Sequence, residues 1–418
     1  MKKNGFTLVE ITVCVVLLVT IFLLVVPKVN TMINNKKKNA YNSLISTVKD
    51  AAQAYVYLNV NIVDDAIESQ GYYEVSIRTL QENELLENKL ENPLTGKNIP
   101  STSIVKIIKN NEEYIYKFSL DYQYLLEHII DLYSSEETRI SNGLKKDNTL
   151  DENIRYYGSD PNNYVSFNNE LWRIIGVFGN NVKLVRKDSL GSLSWDSSES
   201  SINGGFGVNE WSQADLKNYL NTMYYGGTTV TCYDGTKNST TTCPTNILDN
   251  TAKTLIDNHT WNTGAIEYNT RTDTVAFYKD ERGNQTGKIC NGGTFCSDTV
   301  ERTTTWTGYI GLPYPTDYAY ASGENICETN MVKQDSSDAY ICENNNWMFK
   351  SIWYWTLSPF ARSANSRYVW YVNGDGDVNN SNAASGGAVF PAIYLKSNVL
   401  IESGAGTSSN PYILKAGS

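Results

Sequence analysis

The chain has 418 residues, of which 41% are hydrophobic, and a formal net charge of -10. This length allows two or three domains with buried cores. The negative charge argues against nucleic acid as a partner, because affinity for nucleic acids comes largely from Lys and Arg side chains that neutralise phosphates.

An unbroken apolar run extends from Phe6 to Val26 and is ended by Pro27. At roughly 1.5 Å per residue, a helix of this length can cross the bilayer core of about 30 Å, so the run predicts a membrane segment. Glu10 lies inside it, where a carboxylate is costly, and this position predicts a functional role that needs a charge partner. Cleavage after Gly5 would supply that partner as the new amine of Phe6.

The residues Lys2-Lys3-Asn4-Gly5-Phe6-Thr7-Leu8-Val9-Glu10 closely resemble the leader and first residues of type IV prepilins and pseudopilins. The resemblance implies that prepilin peptidase cuts after Gly5 and methylates Phe6, and that Glu10 neutralises the amine of a neighbouring pilin subunit in the filament. It also implies insertion in the bacterial cytoplasmic membrane before assembly, and exposure on an extracellular pilus or cell surface afterwards. The alternative is a signal anchor or secretory signal peptide, but Val25-Val26-Pro27-Lys28 offers no small-residue cleavage site.

Beyond the membrane segment, apolar residues recur at steps of three and four, as in Tyr41, Leu44 and Val48. This spacing predicts that one helix continues from the membrane segment to about residue 60. A short helix is then expected around residues 76–86. Two strands follow, which are expected to form an antiparallel hairpin through Asn110-Asn111; they are Ser103–Ile108 and Tyr114–Phe118.

Cysteine usage indicates an exported protein. Cys14 lies in the apolar run, whereas the other six cysteines lie beyond residue 230 in close sequence pairs. Short loops favour local pairing, although six cysteines allow fifteen connectivities. The predicted disulfides are Cys232–Cys243, Cys290–Cys296 and Cys327–Cys342. Free thiols and a metal site are the alternatives, and the second is disfavoured because His128 and His259 are not spaced with the thiols.

The region beyond residue 150 is rich in Gly, Asn, Ser, Thr and Trp, and its strands are short. Four stretches carry a second resemblance, to a bacterial surface module with a C-type-lectin-like fold. Its relatives include the formylglycine-generating-enzyme fold and ligand-binding variable proteins diversified by retroelements. The stretches are Ile154–Gly158 with Leu171–Gly176, Tyr309–Ser322, Trp353–Pro359 and Phe390–Lys396.

The two resemblances together predict the fold class. The chain is expected to be an α+β protein in which a long N-terminal pilin helix and a small antiparallel head precede a large C-type-lectin-like α+β domain. Its expected parts are a prepilin leader at 1–5, a transmembrane and assembly helix at 6–60, a small pilin-like head at 61–120, a connector at 121–148, and a ligand-binding domain at 149–418.

The second resemblance implies an exposed, sequence-variable segment between Phe360 and Val389, on a scaffold that includes Trp353 and Trp355. Tyr and Trp provide rigid contact area, and Asn and Ser provide adaptable hydrogen bonds, as in other binding loops. If the strand from Tyr368 is half buried, alternation turns Tyr368 and Trp370 outward, and Val369 and Tyr371 inward. The predicted ligand contacts are Asn365, Arg367, Tyr368, Trp370, Asn373, Asp375, Asn379, Asn380 and Asn382.

A solvated hairpin that turns at Gly374-Asp375-Gly376 is the alternative interpretation of this segment. The stretch Asn373–Asn379 also resembles a calcium loop, but Tyr371 and Asn382 occupy the first and closing ligand positions, so no metal and no cofactor is predicted. Catalysis is not expected either, because His259 has no paired base or nucleophile in a recognised motif.

The complete interpretation is a minor or tip-proximal type IV pilin-like subunit, which is not an enzyme. Its large domain would bind an extracellular protein or glycan, and its partners would be other pilin subunits, prepilin peptidase and the membrane, but not nucleic acid. The alternative is a pseudopilin of a secretion or DNA-uptake system, in which the large domain serves as a spacer or cargo adaptor.

Overall fold

The computed structural model describes residues 36–37, 39–93, 96–99, 101, 103–110, 113–119, 123–197, 203–267, 273–283, 302–332, 342–361 and 366–416. The chain divides into two compact units between Gln123 and Tyr124. The predicted processing and assembly residues, Gly5, Phe6 and Glu10, lie outside the described residues, and so does the whole apolar run.

The described residues of the small unit form three helices and five strands. They are α1 (39–58), α2 (Val60–Gln70), α3 (Ile77–Glu82), β1 (Tyr73–Ser76), β2 (Glu91–Asn92), β3 (Lys97–Asn98), β4 (Ile104–Asn110) and β5 (Glu113–Ser119). Strands β1, β4 and β5 form an antiparallel sheet in that order. Helix α1 buries Val48, Ala52 and Val56, which recur at every fourth position and therefore lie on one face.

Two local predictions for the small unit are confirmed. Strands β4 and β5 form the predicted hairpin, in which Asn110 is the partner of Glu113. The predicted short helix is α3, and Ser76 caps it because its hydroxyl accepts a hydrogen bond of 3.0 Å from the backbone N–H of Thr79.

The predicted fold class, with its long N-terminal pilin helix, is wrong. The described residues form a mixed α/β structure with several β-sheets, and none of their helices combines the length and apolar character needed to cross a membrane. Helix α1 ends at residue 58, since Asn59 leaves the helical conformation (φ -131°, ψ 32°) and its side-chain amide donates a 2.9 Å hydrogen bond to the carbonyl of Tyr55. The side chain thus satisfies a carbonyl at the helix end.

The large unit contains seven short α-helices among its described residues. They are α4 (Leu125–Ser134), α5 (Glu136–Ser141), α6 (Asp215–Asn218), α7 (Asn250–Leu255), α8 (Thr274–Glu281), α9 (Pro315–Ala321) and α10 (Ile326–Thr329). A π-helical segment, Tyr219–Tyr225, follows α6. Because α4, α5 and the next strand belong to this unit, the segment predicted as a connector packs almost entirely within it.

Twenty strands make up the sheets in the parts of the large unit that the structure describes. They are β6 (Gln123–Tyr124), β7 (Leu144–Lys146), β8 (Ile154–Tyr156), β9 (Tyr164–Phe167), β10 (Glu170–Phe178), β11 (Asn181–Arg186), β12 (Ser192–Ser194), β13 (Cys232–Gly235), β14 (Ser239–Thr241), β15 (His259–Asn262), β16 (Ile266–Glu267), β17 (Thr305–Gly308), β18 (Ile310–Gly311), β19 (Tyr354–Ala361), β20 (Tyr368–Val372), β21 (Val378–Asn382), β22 (Gly386–Ala388), β23 (Ala392–Leu395), β24 (Val399–Ser403) and β25 (Tyr412–Ala416).

The larger sheet has the order β18-β23-β11-β10-β9-β25-β24-β6, and β8 pairs with both β10 and β7 beside this path. Its central strands are rich in β-branched and aromatic residues, which favour the extended conformation. Strand β11 is buried from Val182 to Val185 and lies between β10 and β23. The sheet thus places one charged residue of β11, Lys183, inside the core.

The smaller sheet has the order β12-β22-β19-β20-β21, with β16 paired to β19. All eight residues of β19 are buried, and β21 is the last strand on the other side of β20. Helix α9, whose seven residues are all buried, packs against β8 of the larger sheet and against β19 and β20 of the smaller one. One continuous core therefore serves both sheets.

Candidate ligand-binding surface

The predicted binding segment forms a hairpin of β20 and β21. The strands pair antiparallel, so that Tyr371 lies opposite Asn379 and Trp370 lies opposite Asn380. Directly opposite residues share a face of the sheet, and the two pairs therefore lie on different faces. The described residues of this segment confirm the hairpin itself, whereas Asn365 lies outside them.

Trp370 is part of the core, and the prediction that it faces outward is wrong. Its side chain is fully buried, and its ring centroid lies 5.0 Å from those of Phe277 and Phe360. The indole N–H donates a 3.2 Å hydrogen bond to the carbonyl of Ile266. Helix α8 covers this face of the smaller sheet through Phe277, which is why the ring has no access to solvent.

Tyr371, which alternation turns inward, is instead half exposed. Its ring lies 5.2 Å from that of Trp353 and 6.4 Å from that of Trp355. Trp353 is also half exposed, while Trp355 is fully buried. We call the half-exposed group of Trp353, Tyr371 and Asn379 the aromatic–amide surface.

The sequence interpretation missed Trp353 as a surface residue because it assigned the whole stretch from Trp353 to the scaffold. One feature of the sequence that could have indicated the position of Trp353 is Gly387, since a Cβ there would lie 2.5 Å from the Trp353 ring. Because Gly387 has no side chain, the Trp353 ring can pack closely against β22. A second is position: Trp353 directly precedes β19, where a strand end approaches the surface.

Arg367 and Tyr368 form a second polar–aromatic group on the hairpin. The guanidinium of Arg367 donates a 3.1 Å hydrogen bond to the Tyr368 hydroxyl and lies 4.6 Å from the ring of Phe206. Both predicted contacts are half exposed. The remaining predicted contacts on β21, Asn380 and Asn382, are half exposed as well, and so are Asn373 and Asp375 in the turn.

Hydrogen bonds from a side chain of the turn and from Tyr318 on α9 hold the turn between β20 and β21. The Asn373 amide donates a 3.0 Å hydrogen bond to Asp377, and the Tyr318 hydroxyl donates one of 2.8 Å to the carbonyl of Gly376. Gly376 has a φ of 92°, which favours glycine, and a Cβ there would meet the backbone of Glu343 at 2.8 Å. Across the described ranges no three His, Cys, Asp or Glu side chains are grouped to hold a metal ion.

Two disulfides support this region and confirm two of the predicted pairs. Cys232 is bonded to Cys243, and Cys327 to Cys342, with Cα atoms 5.3 Å and 5.2 Å apart. The carbonyl of Cys342 accepts a 3.1 Å hydrogen bond from Tyr318, the same residue that holds the hairpin turn. The third predicted pair, Cys290–Cys296, lies outside the described residues.

A small groove lies on another part of the large unit and was not predicted. Its cationic lining residues include Arg173 and Lys350, and its apolar lining includes Trp347 and Phe390. Burial lowers the pKa of Lys350 to about 8. Arg173 is already engaged, because it donates hydrogen bonds to Asn163 and Asp160, so the arginine serves the fold.

His259 does have an acidic neighbour, contrary to expectation. Its Nδ1 lies 3.1 Å from Asp257, and its ring stacks on Tyr394 with centroids 3.7 Å apart. Burial is the largest cause that lowers the pKa of His259, opposed by Asp257. Within the described part of the chain, the His259 ring contacts a carboxylate and two aromatic rings.

The buried core contains a group of charges that bridges strands and helices of the large unit. Arg155 on β8 contacts Asp147 at 2.9 Å and Asp317 on α9 at 2.6 Å, and Lys183 on β11 contacts Asp317 at 2.5 Å. All four side chains are at most 1% exposed. We call these four residues, together with Glu281 at the end of α8, the buried charge cluster.

No family model, no curated protein and no solved structure matches the chain.

Proposed function

We propose that the chain is a minor or tip-proximal type IV pilin-like subunit whose large unit binds a protein or glycan outside the cell. The observation that carries the binding proposal is the aromatic–amide surface. Two half-exposed rings in edge-to-face contact lie there beside the amide of Asn379. Tyrosine and tryptophan give contact area at low conformational cost, and interface hot spots are enriched in both.

The surface is held rigidly, which favours binding because few side chains must be ordered when the ligand arrives. Trp355 supports the two rings from below and donates a 2.9 Å hydrogen bond to the carbonyl of Leu193. On the far side of β20, Trp370 fills the core. The disulfides suit an oxidising, extracellular location.

The pilin part of the proposal is supported by the sequence from Lys2 to Glu10. A spacer has no ligand to bind, whereas a cargo adaptor would bind the exported cargo. Binding of an extracellular glycan or host protein through the aromatic–amide surface therefore favours the adhesive function over both.

Replacing Trp353 and Tyr371 by Ala, singly, should weaken ligand binding by about 30-fold each, since a hot-spot side chain contributes about 2 kcal/mol or more. The measurement is binding of the purified full chain to a glycan array and to a panel of immobilised extracellular proteins, followed by titration of the strongest partner. The matched controls are Tyr225→Ala and Tyr309→Ala, which remove a half-exposed pair with centroids 4.1 Å apart elsewhere on the large unit. Equal losses in both pairs of variants would contradict a localised site.

Replacing Glu10 by Val should reduce incorporation into filaments to background while membrane insertion stays the same or improves, because the carboxylate is costly in the membrane and serves assembly. Immunoblots of sheared filaments and of the membrane fraction measure both quantities. Thr12→Val, which removes a polar group from the same run without a charge, is the control. Mass spectrometry should find mature protein that starts at methylated Phe6, and an intact Met1 would contradict the pilin assignment.

A further inference from the structure

Lys183 and Asp317 form a pair with no access to water. Their side chains are 0% and 1% exposed, and Nζ lies 2.5 Å from Oδ2. Asp317 is the hydrogen-bond acceptor that the structure gives this lysine in the described part of the chain. A nucleophile reacts from a separation of about 3–3.5 Å, and a nitrogen in contact with Oδ2 is already next to the Cγ to which that oxygen is bonded.

Aromatic rings surround the lysine nitrogen. It lies 4.1 Å from the ring centroid of Tyr314 and 5.5 Å from those of Trp261 and Phe178. Burial is the largest cause that lowers the pKa of Lys183, to about 8, and it is opposed by the attraction of Asp317. Roughly a tenth of the lysine is therefore the free amine, the nucleophilic form, at pH 7.

Arg155 is placed to assist attack on Asp317. It donates a 2.6 Å hydrogen bond to Oδ1, the oxygen on which negative charge would gather in a tetrahedral intermediate. Its Nη2 is buried and makes no hydrogen bond to any described residue. The backbone N–H of Tyr314 fixes the other oxygen, Oδ2, at 2.9 Å.

Glu281, which also pairs with Arg282 at 3.2 Å, is a second buried carboxyl group that interacts with the pair. It is fully buried and accepts hydrogen bonds of 3.0 Å and 3.1 Å from the hydroxyl of Thr316, the residue before Asp317. It interacts electrostatically with both Asp317 and Lys183, and burial raises its pKa to about 7. Near neutral pH it can both give and take a proton.

From this geometry we infer that the Lys183 amine and the Asp317 carboxyl condense in the folded protein to an amide, an intramolecular isopeptide bond. Nζ forms a bond to Cγ, and the bond from Cγ to Oδ2 breaks. Starting from ammonium and carboxylate, two protons leave the nitrogen and depart with Oδ2 as one water. Glu281 carries a proton between the two groups, and the reaction needs no oxidant, reductant or co-reactant.

The bond would close a loop between two residues 134 positions apart in sequence. It would join the central strand β11 to helix α9, which packs against both sheets. Force applied to the chain between these residues would then be carried by covalent bonds, whereas an ion pair would separate. This inference does not depend on the proposed binding function.

The test is the intact mass of the folded full chain, measured after denaturation and complete reduction of the disulfides. We expect a mass lower than that of the sequence by one water. Trypsin should then leave Lys183 uncut and give a branched peptide that joins residues 174–186 to residues 303–333. A full sequence mass together with the two linear peptides would overturn the inference.

Variants of Lys183 and Asp317 test whether the bond joins these two side chains. Lys183→Arg should keep the full sequence mass. Asp317→Asn should lose ammonia in place of water, so that its product has the mass of the cross-linked wild type. The matched control is Lys145→Arg, because Lys145 lies 2.7 Å from Glu328 in a partly exposed ion pair, and this variant should still lose one water.

Glu281→Gln keeps a hydrogen-bond partner for Thr316 but cannot release a proton. We expect this variant to retain the near-ultraviolet circular dichroism of the wild type while losing water at least tenfold more slowly after its synthesis, as followed by mass during a pulse-chase. Both rates should rise with pH as Lys183 loses its proton, and only the wild type should show a second dependence on pH near 7 from Glu281. Equal rates and equal pH profiles would remove Glu281 from the inference, and the wild-type mass decides the bond itself.

Discussion

Replacing Arg155 by Leu should destabilise the large unit by about 3–5 kcal/mol, because removing one partner of a buried ion pair leaves an uncompensated charge in the core. The guanidinium contacts Asp147 and Asp317, and both carboxylates are at most 1% exposed. Its lost stacking contact with Phe178, at 4.4 Å, adds to the effect. The loss of stability is expected whether or not Asp317 has formed an amide, because Asp147 loses its charge partner in either case.

Urea unfolding followed by tryptophan fluorescence measures this change in the large unit alone, since all nine tryptophans lie beyond residue 123. The control is Lys146→Leu, which breaks the exposed pair of Lys146 and Glu152, 2.8 Å apart. An exposed pair contributes at most about 1 kcal/mol, so its midpoint should move little. Equal midpoints for the two variants would show that the buried charge cluster does not stabilise the unit.

No sequence pattern predicted this cluster. Its members come from β8, β11, α8 and α9 and from the residue after β7, and Lys183 and Asp317 are 134 positions apart. Lys183 occupies a strand whose other central residues are apolar, where alternation would turn a lysine toward solvent. Both faces of the larger sheet are covered at this point, and a charge can lie there only because partners from other elements reach it.

The local elements near the candidate surface were more predictable. The hairpin of β20 and β21 follows from two runs that are separated by Gly and Asp, the first of them β-branched and aromatic. These signals act over a few residues and do not depend on what packs above or below. Orientation does depend on it, because the rule of alternation assumes one buried face and one solvated face.

The smaller sheet does not satisfy that assumption. Helix α8 covers the face that bears Trp370, and the tryptophans before and within β19 lie over the face that bears Tyr371. Whether a ring of β20 remains accessible to solvent therefore depends on how far α8 and these tryptophans cover each face. Sequence analysis predicted Trp370 as a ligand contact. In the structure Trp370 is buried, and the half-exposed rings are those of Trp353 and Tyr371.

Replacing Trp370 by Ala should therefore destabilise the large unit by about 3–5 kcal/mol, the usual cost of removing a large core side chain. The change removes ring contacts with Phe277 and Phe360 and leaves the carbonyl of Ile266 without its indole donor. Tyr371→Ala, one position away on the opposite face, removes a half-exposed ring and should cost on the order of 1 kcal/mol.

The two variants separate core from surface when stability and ligand binding are measured on the same preparations. Trp370→Ala should shift the urea midpoint strongly, and the folded fraction that remains should still bind, because the ring does not reach the surface. Tyr371→Ala should keep the midpoint close to that of the wild type and lose affinity. A Trp370→Ala protein with an unchanged midpoint and lost binding would restore Trp370 as a ligand contact and contradict the packing of α8 against β20.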